Sequence, residues 1–173
     1  MKTNFKEQTD ELTKEGLKDV NGFVSTFIEK VVKKNDSIKI SEKQLHSQIC
    51  QYIKIQYQNI IFNTDLSGIK LSIGQAKQLK FLRSSKGIPD IVIYHPMQIG
   101  QTTFYGLFLE VKKESPYKKM KTGYVIKENE HLREQKFIID RLCELGYIAC
   151  FVWSFDMAKN LIDNYLKKYN KHV

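Results

Sequence analysis

The stretch that most constrains the fold runs from Lys86 to Glu114, KGIPDIVIYHPMQIGQTTFYGLFLEVKKE. It holds two apolar runs, Ile88–Tyr94 and Thr103–Lys113, that read as neighbouring strands of a buried sheet, with His95-Pro96 and Gly100 marking the loop between them. Both runs carry charge where a buried strand should not. Asp90 opens the first, and Glu110 and Lys112 stand near the end of the second. Glu110 and Lys112 are two residues apart, so they share a face of the strand. In the first run Ile91 and Ile93 face one way and Asp90, Val92 and Tyr94 the other. Both sides are largely apolar, as expected for a central strand covered by helices.

A carboxylate placed in a core without a partner is costly, so these charges need a reason. One reason is a divalent metal with a phosphate substrate: Asp90 and Glu110 offer hard oxygen ligands, and Lys112 would face the phosphate or the attacking water. The other is that all three lie at exposed strand ends. The spelling of the stretch favours the first. Gly-Ile-Pro-Asp at Gly87–Asp90, followed by Phe-Leu-Glu-Val-Lys-Lys at Phe108–Lys113, resembles the active-site core of the PD-(D/E)XK nuclease superfamily in its virus-type replication-repair (VRR-NUC) branch. The resemblance extends over roughly Ser41 to Leu166, with two further matches in the flanking helices.

The first of these matches follows Ser41, an N-cap with Gln44 three residues later as a capping box. The helix runs on through Leu45, Ile49, Tyr52 and Ile53, towards Gln56. Glu42 projects from its first turn, where an acid is favoured by the helix dipole. The segment SEKQLHSQI looks like the family helix whose Glu joins the metal site, and the resemblance gives Glu42 that role. The second match is in a helix over Glu128–Leu145, ended by Gly146, with Leu132, Ile139, Leu142 and Cys143 on one face. Gln135 falls on that face, either as a satisfied core amide or, as the resemblance of HLREQ implies, as a side chain pointing at the active site.

Other segments fill out the domain. A strand is expected at Asn59–Thr64, then a turn in which Asp65 either caps backbone or adds a ligand. Ser72–Arg83 reads as a helix with Ile73, Ala76, Leu79 and Leu82 inward, and Lys77, Lys80 and Arg83 form a basic stripe continued by Lys86. No acid occurs between Gly74 and Ile88, so this stripe is expected to track phosphates. Tyr117–Lys127 reads as a hairpin about Thr122-Gly123, and its Lys118, Lys119 and Lys121 either hold a phosphate backbone or are a solvated surface. Tyr147–Trp153 is a last core strand, and Ser154 caps a helix with Phe155, Ala158, Leu161, Ile162 and Tyr165 inward. Residues 1–40 are expected to be an N-terminal helical extension, amphipathic over Phe23, Val24, Phe27, Ile28, Val31 and Val32, with 41–173 as the nuclease-like domain.

A net charge of +9 points to a polyanionic partner or to a generally Lys-rich surface. Cys50, Cys143 and Cys150 have no metal spacing with one another or with the histidines and read as reduced core residues of a cytoplasmic protein. No apolar run reaches about 18 residues, so no membrane span is expected. The fold class expected is α/β, a mixed central sheet flanked by helices. The resemblance implies Mg²⁺ or Mn²⁺ held by Asp90, Glu110, Glu42 and the Val111 carbonyl, with Lys112 and Gln135 completing the catalytic set. It also implies branched or flapped DNA as substrate, pairing as a homodimer, and a bacterial or phage setting. A non-catalytic nucleic-acid-binding module and a restriction-type endonuclease are the other readings.

Overall fold

The computed structural model describes residues 40–65, 72–82, 87–99, 101–121 and 123–167. The expected helix of the N-terminal extension therefore lies outside the described residues. In chain order the elements are α1 Glu42–Gln56, β1 Phe62–Thr64, α2 Ile73–Leu82, β2 Ile91–Ile93, β3 Met97–Ile99, β4 Thr102–Phe104, β5 Leu107–Val111, β6 Tyr117–Met120, β7 Gly123–Ile126, α3 Glu130–Glu144, β8 Ile148–Val152 and α4 Phe155–Lys167.

The protein is mixed α/β. Its main sheet has the order β1-β2-β5-β8, antiparallel between the first three strands and parallel between β5 and β8. A parallel pair needs a long crossover, and here the chain leaves β5, forms the β6–β7 hairpin and returns through α3 to β8. All residues of β8 are buried, so both of its faces are covered. It packs against α3 and α4, while α1 packs on α4 and β5. Leu45, Ile49 and Ile53 of α1 and Met157, Ala158, Leu161, Ile162 and Tyr165 of α4 join the core cluster with the sheet. The α1–α4 seam is pinned by Asp163, whose Oδ1 accepts from the Tyr52 and Tyr57 hydroxyls while Lys159 Nζ donates to Oδ2. Burial alone would raise the Asp163 pKa, but these donors hold it below the usual carboxylate range.

Several local expectations are met by specific bonds. Ser41 and Gln44 form a reciprocal capping box on α1, and the Ser154 hydroxyl accepts from Met157 N at the start of α4. The helix expected from Glu128 starts at Glu130 instead, with Asn129 as its N-cap. Gly146, at φ +85°, ends α3 in a conformation that L side chains avoid.

Others are corrected. The run Thr103–Lys113 is two strands, because its first part pairs back on Met97–Ile99 as β4 and only its second part pairs with β2. The expected loop at His95–Gly100 therefore contains β3. The run Ile88–Tyr94 shortens to β2, with Pro89 unable to donate to a ladder. Asn59–Thr64 shortens to β1, since Ile60 N bonds Tyr57 O in a turn. In α2 the residues expected inward do not all face a core: Ile73 is 80% and Leu82 70% exposed, and Phe81 is 87% exposed. Helical periodicity marks an apolar face; it does not supply the partner that would bury it.

Candidate active site

Alternation along β5 divides its side chains between two environments. Leu107, Leu109 and Val111 are fully buried on one face. Phe108 and Glu110 take the other, followed by Lys112 just past the strand. The register Ile91↔Leu109, extended by one residue, sets Asp90 opposite Glu110. Asp90 is 9% and Glu110 3% exposed, so neither is the exposed strand-end charge of the alternative reading.

The approach to Asp90 depends on Gly87. Its φ is +83°, and a Cβ there would stand 3.4 Å from Gln135 Cα and Cγ. The Gly-Ile-Pro-Asp turn thus lies within van der Waals reach of the α3 backbone, and its left-handed φ is what a larger residue would resist. Pro89 is buried behind it. Asp90 is then fixed at both its backbone and its side chain: its carbonyl accepts from Asp65 N at 2.9 Å, and its Oδ2 accepts from Val111 N at 2.8 Å. Asp65, half-buried just past β1, is brought beside Asp90 by that bond.

Glu110 Oε1 accepts from Lys112 Nζ at 2.8 Å and from Gln135 Nε2. Burial first, and then the charge of Asp90, push the Glu110 pKa up to about 8; Lys112 opposes the shift and Glu42 adds to it. Two carboxylates opposed in a low-dielectric place resist joint ionisation unless positive charge is supplied. Gln135, 5% exposed on α3, uses its amide N–H on Glu110, and its Oε1 is buried with no hydrogen-bond partner. An orphaned buried acceptor costs about 1–3 kcal/mol, so the site is arranged for a donor in addition to those of the chain.

Glu42 sits apart from this pair. It is exposed on the first turn of α1, and its Oε2 accepts from Lys113 N at 3.3 Å, which brings its charge to the outlet of β5. Among the described residues no group of three His, Cys, Asp or Glu side chains could hold a metal ion. The pair Asp90–Glu110 nonetheless fits a hydrated divalent cation of the Mg²⁺ type. Such ions take one or two carboxylates and keep several waters, whose hydrogens would satisfy the Gln135 oxygen. The Val111 carbonyl, expected as a further ligand, belongs to the residue whose N–H holds Asp90.

The basic residues are scattered by comparison. Lys77 is exposed on α2, which also contains Lys80; Arg83 and Lys86 lie outside the described residues. On the hairpin, Lys118 pairs with Glu128 at 3.2 Å, while Lys119 and Lys121 are exposed. Tyr117 is turned inward on the rings of Phe151 and Trp153. The fold also brings beside the site residues to which the sequence reading assigns no role. A cleft of about 550 Å³ opens next to Lys112 and Glu42 and is lined by Lys113, Lys127 and His131. His131 was recoverable from spacing, since it lies four residues before Gln135 and so on the same side of α3. Lys127 had no such signal, because a hairpin's sequence does not say which helix its base will meet.

No helix among the described residues is long and apolar enough to cross a membrane. No family model and no curated protein matches the chain. It is similar to a solved structure named VRR_NUC domain protein, at 18% identity and a TM-score of 0.47, over 76% of this chain and 92% of that one.

Proposed function

We propose that this chain is a metal-dependent nuclease that hydrolyses phosphodiester bonds of DNA, with Asp90, Glu110, Lys112 and Gln135 as its working groups and branched or flapped DNA as its substrate. The observation that carries the reading is Glu110: a carboxylate 3% exposed, opposed to Asp90 and held between a lysine and a glutamine amide. A fold gains no stability from setting two buried acids against each other, whereas a cation could use both and would then attract a phosphate. Bound there, Mg²⁺ or Mn²⁺ would polarise the phosphoryl oxygen and lower the pKa of the attacking water.

The chain's own groups have separable tasks in this proposal. Asp90, anchored on Val111 N, presents a carboxylate that cannot swing away. Glu110 holds the second ligand position and, through Oε1, keeps Lys112 Nζ at 2.8 Å. Lys112 then orients the attacking water and offsets negative charge as the phosphorus becomes pentavalent. Gln135 accepts a hydrogen from a water through Oε1, limiting the positions that water can take. Glu42, at the rim, adds negative charge that favours metal binding. Lys77, Lys80, Arg83, Lys86 and the hairpin lysines Lys118, Lys119 and Lys121 supply sequence-independent attraction for the phosphate backbone.

The test is incubation of the purified protein with labelled single strands, duplexes, flaps and four-way junctions, in Mg²⁺, Mn²⁺ or EDTA. Metal-dependent cleavage of at least one form, strongest on the flap or junction, is expected. Absence of cleavage of every form in both metals would refute the proposal.

A further inference from the structure

The cleft beside Lys112 has a wall that the proposed chemistry does not use. Lys113 follows β5, Lys127 follows β7 and His131 stands on the first turn of α3, and Pro116 and Leu132 line the same cleft. Pro116 is buried and Leu132 half-buried against the core, so the cleft combines apolar surface with three lysines and a histidine, which outnumber its two acids, Glu42 and Glu114. Its volume, about 550 Å³, lies within the range of small-ligand pockets, about 300–1,000 Å³. A lone phosphate would leave most of it empty, and the stacked bases of an intact duplex could not enter it.

We infer that this cleft takes one nucleotide of the substrate strand, splayed out beside the scissile phosphate, with its own phosphate on Lys113, Lys127 and His131 and its sugar and base over Pro116 and Leu132. The inference rests on the nuclease reading and adds a demand to it: the strand must be unpaired at that nucleotide, because extruding a paired base costs unstacking energy. Glu114, the 3.1 Å partner of Lys127, is no obstacle. The pair is exposed on both sides, and such pairs contribute little, so a phosphate can replace the carboxylate. Glu42 also lines the cleft, and its negative charge directs the nucleotide's own phosphate to the Lys127–His131 side.

The full chain in EDTA is titrated calorimetrically with thymidine 5′-monophosphate and with inorganic phosphate. The nucleotide should bind about tenfold or more tightly than phosphate, and Lys127→Ala/His131→Ala should weaken it on the order of tenfold through the loss of two charge-assisted hydrogen bonds. Lys54→Ala/Lys136→Ala removes two positive charges that do not line the cleft and should bind the nucleotide as the parent does; melting curves check that both variants are folded. The inference is overturned if the nucleotide does not bind, if phosphate binds as well, if the Lys127/His131 variant binds like the parent, or if the Lys54/Lys136 variant loses affinity equally. Cleavage is read separately. A protein that cuts DNA but fails these titrations sinks the cleft alone; one that passes them and cuts nothing keeps the nucleotide site and sinks the nuclease reading.

Discussion

Glu110 concentrates the tension of the site in one side chain. Its pKa, raised from the ordinary 4.5 to about 8, makes a signed prediction for the metal-free protein. Between those two values the folded chain keeps a proton that the unfolded chain has released, so this group makes stability fall as pH rises from about 4.5 to about 8. Outside that window it contributes no slope. Urea melts in EDTA across this range should show the fall in the parent and lose it in Glu110→Gln; an equal slope in both would mean that burial and Asp90 do not act on Glu110 as described. Removing either carboxylate should also end chemistry. Asp90→Asn and Glu110→Gln are each expected to reduce cleavage by orders of magnitude while DNA binding persists, and a variant that still cuts at the parental rate in Mg²⁺ would remove that residue from the site.

At the scale of elements, the site is built where three pieces meet: the Gly-Ile-Pro-Asp turn, the end of β5 and the middle of α3. Gly87 sets the first against the third. Gly87→Ala should cost about 1–2 kcal/mol for the left-handed backbone, and any relaxation of that φ should displace Asp90 and reduce cleavage. Parental activity in that variant would show that the turn has other ways to reach α3. The hairpin makes a different kind of contribution. If Lys119 and Lys121 touch phosphates, their joint replacement by Ala should reduce the log–log salt slope of duplex binding by roughly 0.9 for each phosphate no longer neutralised. An unchanged slope, measured by anisotropy over a salt series, would place the duplex elsewhere.

Taken whole, the proposed metal would couple to the fold. The carboxylates come from strands that are adjacent in the sheet but lie on either side of the β3–β4 hairpin, so a ligand shared between them ties β2 to β5. At about 100 times its Kd, Mn²⁺ binding only the folded state should add ~2.7 kcal/mol of stability. A thermal melt should show that shift in the parent, its loss in Asp90→Asn, and a partial loss in Glu42→Gln. A Glu42→Gln protein with an undiminished shift would make Glu42 a helix-terminus charge worth ~0.3–1 kcal/mol.

Local chemistry was legible in the amino-acid sequence. The Ser41–Gln44 cap, the Gly146 terminator and the β6–β7 hairpin each depend on neighbours within a few residues, and the sequence determined them. The charged spelling of Gly87–Asp90 and Phe108–Lys113 marked two strands that needed a reason for their acids. Only tertiary structure decided pairing: that Thr103 and Phe104 turn back on Met97–Ile99 while Leu107–Val111 joins β2, that α2 leaves Ile73, Phe81 and Leu82 exposed, and that Lys127 and His131 line one cleft with Lys113. Periodicity records which way a side chain faces along its own element. What it faces depends on chain segments tens of residues away, and no local pattern encodes that.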